Sequence, residues 1–281
     1  MTDSGLLGTI FGLAAAASWG AGDLSGGLAT RRTHAFIVVI VSGSVGLILL
    51  IGMALLLAEP LLSLADLLWG GAAGIAGAIG LVALYQGLAV GRMGIVAPLT
   101  AVVTAATPLT FGLLFEGVPA GHQLLGFALA LMAVWLISRT DDGASIQARE
   151  VVLPLVAGLG FGFFLIVIGG VSERAVLWPL AAARFTSTSL LLIAVALSRQ
   201  RQKLDTRQLP LMALAGLFDT GGNAFYALAA QVGRLDAAAV VSSLYPAVTV
   251  LLARVLLKER LARQQWLGVI VALVAVVLIA S

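Results

Sequence analysis

The sequence predicts an all-α integral membrane protein of ten transmembrane helices arranged as two inverted five-helix repeats. Three observations predict it. Of 281 residues, 60% are hydrophobic and only 10% charged, with a mean hydropathy of +1.09, which leaves too little polar surface to clothe a soluble globule of this length. Apolar runs of about 17–23 residues, each long enough to cross a hydrocarbon core, recur between charged or turn-forming breaks. The first half is also echoed by the second at a shift of 142 positions: Gly20 recurs as Gly162, Gly27 as Gly169, Arg32 as Arg174, Gly74 as Gly216, Gly91-Arg92 as Gly233-Arg234 and Gly126 as Gly268. Two related halves in a membrane chain read first as a transporter.

The spans follow in order. The first, 6–28, is preceded by Met1-Thr2-Asp3-Ser4, which lacks the basic start of a secretory signal, so it is kept as a span. The second (35–57), third (67–89) and fourth (95–115) are long and nearly free of charge, and the fifth (122–138) is short. The sixth to tenth occupy 151–171, 177–198, 209–231, 236–256 and 264–280. The polar stretch at 141–150 joins a first repeat, 1–140, to a second, 151–281.

An odd number of spans per half makes the second copy enter the bilayer from the opposite face. Equivalent loops should then differ in Lys and Arg content, and they do. The 2–3 loop has no basic residue while its counterpart carries Arg199, Arg201, Lys203 and Arg207; the 4–5 loop has none while the 9–10 loop has Lys258, Arg260 and Arg263. One side holds 12 basic residues, the other only Arg174 and Arg234. The positive-inside rule makes the richer side cytoplasmic and puts both termini outside. The formal charge of +3 is thus a topology signal spread over short loops, and no nucleic-acid surface is expected.

No cysteine is present, which excludes disulfides, thiolate metal sites and cysteine nucleophiles. His34 and His122 both lie beside loops, with no nucleophile or metal-ligand spacing around them. No catalytic residue, metal or cofactor is expected. A membrane-embedded enzyme and a non-transporting scaffold are the alternatives to transport, and the chain has neither a catalytic set nor an appended soluble domain to favour them.

Acids inside spans are the strongest site signal, because each costs on the order of 2.5–3.5 kcal/mol on insertion scales. Asp23 follows Trp19 by one turn in the first span, and Asp219 lies near the middle of the eighth. Asn223 and Tyr226, four and seven residues beyond Asp219, share its helical face. Gln86 in the third span, Thr100, Thr104 and Thr107 in the fourth, and Ser242, Ser243 and Tyr245 in the ninth are candidates for the same cavity, although Ser and Thr in membrane helices more often bond a backbone. Pro98, Pro108 and Pro246 fall inside spans, where each removes a backbone donor and bends the helix. The fourth and ninth spans are therefore expected to be interrupted, with the binding site between them and the prolines as hinges. Glycines at three- and four-residue steps, Gly70, Gly71, Gly74, Gly77 and Gly80, read as close helix packing. Gly158, Gly160 and Gly162 lack the strand and lysine of a nucleotide loop.

The run Tyr245-Pro246-Ala247 through Lys258-Glu259-Arg260, followed by Trp266-Leu267-Gly268, resembles the closing repeat of EamA-type transporters of the drug/metabolite transporter superfamily. The first half carries it in Glu116-Gly117 and Gly126, and Trp19-Gly20 matches a pair in the first helix of that family. The resemblance covers nearly the whole chain. It implies a secondary transporter, an exporter or facilitator of small metabolites such as amino acids, using alternating access around a central cavity, in a bacterial inner membrane. Its expected partners are a small-molecule substrate and the lipid bilayer, and a monomer suffices.

Overall fold

The computed structural model describes residues 3–30, 32–90, 93–115, 117–138, 149–171, 175–197, 204–257 and 263–280. Among them there is no strand. The helices are α1 (Asp3–Thr30), α2 (Ala35–Leu56), α3 (Leu64–Val90), α4 (Met93–Phe115), α5 (Gly121–Ser138), α6 (Arg149–Val171), α7 (Leu177–Leu197), α8 (Leu209–Val232), α9 (Leu235–Ser242), α10 (Tyr245–Leu257) and α11 (Arg263–Ala280). Stretches of α1, α2, α3, α6 and α7 are each long and apolar enough to cross a membrane, and Leu99–Phe115 and Gly121–Leu136 are shorter apolar segments. The chain is an all-α, multi-pass membrane protein.

Local chemistry starts several helices where they start. Ser63 caps α3, its hydroxyl accepting from the Asp66 N–H at 3.2 Å and donating to the Asp66 carboxylate at 2.7 Å, a reciprocal capping pair. In the first turn of α5 the Gln123 side chain reaches back and accepts from the Ala120 N–H at 3.2 Å, the returning half of a capping box. Pro210 stands in the first turn of α8, where its missing N–H would have been unpaired anyway. At the end of α2 the Glu59 N–H reaches back to Ala54 O at 2.9 Å. Ala58, with φ of 49°, holds the left-handed position that such a helix stop requires. The reversal points Glu59 away from its own helix.

Glycine contacts set the helix pairings. A Cβ at Gly8 would stand 3.4 Å from the Gly233 Cα, and one at Gly22 would stand 3.3 Å from the Asp219 amide, so α1 and α8 run antiparallel in contact. Gly77 and Gly80 of α3 lie against Phe164 and Phe161 of α6 in the same sense. Two pairs of contacts recur between the halves, the first at the 142 shift and the second one residue out of register. Gly80 receives the ring of Phe161 as Gly222 receives the ring of Trp19; Gly74 of α3 meets the Ala183 backbone of α7 as Gly216 of α8 meets the Ser42 backbone of α2. In each case the approach is too close for any side chain on the glycine, which gives backbone-distance packing where apolar lipid supplies no driving force of its own.

The ninth span is two helices. The α9 helix ends at Ser242, the Ser243–Leu244 turn follows, and α10 opens at Tyr245. The break precedes Pro246, which then occupies the first turn of α10, where its fixed φ suits a helix start. The expected interruption of the fourth span is not found: α4 is a single helix from Met93 to Phe115. Pro98 and Pro108 lie within it, so neither is a break. Packing explains this at Pro108, which is buried, because α6 closes on that stretch through Gly158 against Val103 and Gly162 against Thr107. The side chain of Pro98 lies outside what is described, as do those of Gln86 and Pro246.

Candidate functional site

Trp19 is the organising side chain of the interior. Its ring lies on Gly222, stacks with Tyr226 at a centroid distance of 6.0 Å and 30° between planes, and meets Tyr245 edge-on at 6.3 Å. The ring therefore joins α1, α8 and α10. Tyr226 is fully buried and donates its hydroxyl to Leu165 O of α6 at 3.0 Å, which fixes the back of the cluster. Trp19 and Tyr245 keep part of their surface open.

Asp23 stands one turn beyond Trp19 and is exposed, with Tyr245 within electrostatic reach. Its exposure is not toward lipid. The exposed apolar stripe of α1 runs through Leu6, Ile10 and Leu13, and at about 100° per residue Asp23 falls roughly 110° away from it, on the Trp19 side. Thr30, the helix end, is seven residues beyond Asp23, so Asp23 lies about 10 Å inside it along the axis.

Asp219 is an ion-pair partner. It binds Arg184 of α7, with 42% of the Asp219 side chain and 21% of the Arg184 side chain exposed. The polar face of α8 therefore does not present one open wall: Asn223 is buried at 5%, Tyr226 is bonded to α6 and Asp219 turns to α7. Arg184 falls inside the seventh apolar span, a signal that calls for an acid partner without saying which one.

The hydroxyl candidates are packing groups in this conformation. Ser242 is fully buried and donates to Ala238 O at 2.6 Å, and Ser243 donates to Val240 O at 2.7 Å. Thr107 donates to Val103 O at 2.8 Å. Thr100 is 1% exposed. Thr104 is buried, and no hydrogen-bond partner for its hydroxyl is found among the described residues.

Two polar ties lie at the end of the bundle where α1 begins, here the near end. The Glu59 carboxylate accepts from the N–H groups of Val176, Leu177 and Trp178 at 2.8–3.1 Å, and the Trp178 indole donates to Glu59 O at 3.1 Å. A side chain from the α2–α3 connection thus caps α7, its charge matched to the positive helix start. Nothing in the sequence signals this contact. In the second tie Arg234 grips Asp236 through Nε at 3.0 Å and Nη2 at 2.8 Å, and donates to Gly117 O at 2.8 Å. Asp236 is fully buried and also accepts from the Ala237 N–H at 2.7 Å. Gly112 leaves room for it, since a Cβ there would stand 2.8 Å from that of Asp236.

Two cavities lie apart from the aromatic cluster. One of about 320 Å³, lined by Thr9, Gln123, Gly233 and Arg234 among others, opens at the near end. The other, about 350 Å³, is an apolar groove between α3 and α7 flanked by Leu68, Ile75 and Phe185. Its chemistry is that of a lipid-facing crevice.

Residues 148–281 match the model of the EamA-like transporter family. Among solved structures, one titled "Crystal structure of protein" superposes with a TM-score of 0.80 over 96% of this chain and 97% of that chain, at 15% identity, a likeness of fold. No curated protein matches the chain in sequence.

Proposed function

We propose, from a chain whose residues 148–281 belong to the EamA-like transporter family, that it is a secondary transporter moving small metabolites such as amino acids by alternating access around the space beside Trp19, Asp23 and Tyr245. The observation that carries this reading is the exposed carboxylate of Asp23 beside partly open aromatic rings, turned away from the lipid stripe of its own helix. An ionisable group there is tolerable against a wet cavity and costly against lipid.

The architecture we infer is ten spans in two inverted repeats, with α9 and α10 together forming the ninth. The matching contacts of Gly80 with Phe161 and Gly222 with Trp19, and of Gly74 with Ala183 and Gly216 with Ser42, support it. On this reading Glu59 on α7 and Arg234 on Gly117 are ties that fasten the near end, and Asp23, closer to the far end of α1, would be approached from that side. Charge makes the far end cytoplasmic. The broken ninth span lets α10 move relative to α9 about Ser243–Leu244, as discontinuous helices do in alternating access. Export, and a bacterial inner membrane, are the direction and location that the family resemblance favours.

Transport in liposomes tests the proposal. Purified protein should exchange labelled small metabolites from a panel of amino acids and related compounds, and Tyr245→Ala should lower that flux at least tenfold with reconstitution unchanged. Flux in Tyr245→Ala equal to the wild type would move the pathway away from this cluster.

A further inference from the structure

We propose that Asp23, Trp19 and Tyr245 form a binding site for an organic ammonium group, so that among the small metabolites carried, amines lacking a carboxylate are preferred over amino acids. The proposal rests on the transport reading for the purpose of the site, and on side-chain chemistry alone for the ligand class.

The argument begins from charge. Two acids face the interior on neighbouring helices, and among the described residues only one is neutralised: Asp219 is held by Arg184. Asp23 has no hydrogen bond or ion pair to any described residue. An unpaired carboxylate inside a membrane bundle calls for a cation from elsewhere.

The surroundings define which cation. Asp23 and Trp19 project from the same side of α1, one turn apart, and Tyr245 lies within reach of both. A carboxylate beside two aromatic rings is the arrangement that takes a substituted ammonium, whose spread positive charge is attracted to ring faces within about 6 Å. A small, strongly hydrated metal ion gains little from such rings and needs more oxygen ligands than one carboxylate and one phenol supply.

The lack of a second charge sets selectivity. A zwitterionic amino acid brings a carboxylate that also needs a partner, and an unpaired buried charge is costly. The guanidinium of Arg184 is occupied by Asp219, and Arg234 is at the near end, engaged with Asp236 and Gly117. Among the described residues the site offers a carboxylate and ring faces and no open cation. The ammonium end of a ligand is satisfied and its carboxylate end is not.

Three probes of one shape separate the cases: phenethylamine, phenylalanine and 3-phenylpropionate carry positive, zwitterionic and negative charge on the same ring and chain. Binding to purified full-length protein is measured by isothermal titration and by thermal stabilisation in detergent. The expected order is amine, then amino acid, then acid, with at least a tenfold step between the first two. Asp23→Asn should weaken the amine at least tenfold without improving the acid to the same degree. The wild-type ranking needs no variant, so it stands even where Asp23→Asn fails to fold. Phenylalanine binding as tightly as phenethylamine, or undiminished amine affinity in a folded Asp23→Asn protein, would overturn the site. Amine binding without flux of any compound would sink the transport reading and leave this site standing. Flux dependent on Tyr245 with no amine preference would do the reverse.

Discussion

Replacing Glu59 by Ala should open the near end. Its carboxylate accepts from three successive backbone N–H groups at the start of α7. A hydrogen bond to a charged group contributes about 1.5–3 kcal/mol net, and a carboxylate at a helix start adds about 0.3–1 kcal/mol through the dipole. The bonds share one carboxylate and do not add, so the whole tie is set at about 2–3 kcal/mol. On the alternating-access proposal, with Glu59 in the first half and α7 in the second, the tie is expected to hold only while the near end is closed. Losing about 2 kcal/mol from one of two states changes their ratio about 30-fold. Glu59→Gln keeps an acceptor oxygen and loses the charge, so its shift should be smaller, corresponding to about 1 kcal/mol. The chain has no cysteine, so single cysteines for spin labels can be introduced at Leu61 and Gln231, both exposed. The distance distribution between them should lengthen strongly in Glu59→Ala and weakly in Glu59→Gln. Identical distributions and identical thermal stability in Glu59→Ala and the parent would refute the reasoning.

Three further outcomes are expected. Asp219→Asn leaves Arg184 without its counter-charge and should lower thermal stability by about 1–3 kcal/mol, less than a fully buried pair because the carboxylate is partly wetted; adding Arg184→Gln should recover much of that loss, and a double-mutant cycle showing no coupling would remove the pair from the account. Gly222→Ala drives a methyl into the Trp19 ring and should cost about 1–3 kcal/mol together with flux, whereas Gly27→Ala, with nothing within 4 Å of the added carbon, should be neutral in both; equal effects would mean that ring contact is not the cause. A reporter active only in the cytoplasm should be silent after Ser281 and active within 199–208, and the opposite pattern would reverse the orientation read from charge.

The positions of the helices were legible because span formation is a local property. A run of apolar residues in a lipid environment must satisfy its own backbone hydrogen bonds, and only a helix does so within one segment. The expected limits 35–57, 122–138 and 209–231 meet α2, α5 and α8 within one or two residues. The same logic located a break near Pro246. It failed at Pro98 and Pro108: a proline alone did not predict an interruption, and at Pro108 the flanking turns of α4 are packed against α6.

The site divides along the same line. Asp23, Asp219 and Trp19 stood out because acids and aromatic residues in apolar runs are costly or informative wherever the chain goes. Their partners were not legible. Arg184 chooses Asp219 across 35 residues, Tyr226 chooses Leu165 across 61 and Glu59 chooses the start of α7 across 117 or more. Those choices depend on which helices glycine lets approach to backbone distance, and on the sum of packing over the whole bundle. Thus hydropathy determined how many segments become helices and which residues are expensive in lipid. Tertiary packing alone decided that Asp219 is neutralised while Asp23 has no ion-pair partner among the described residues, since a charge is paired or unpaired only through what another helix brings to it.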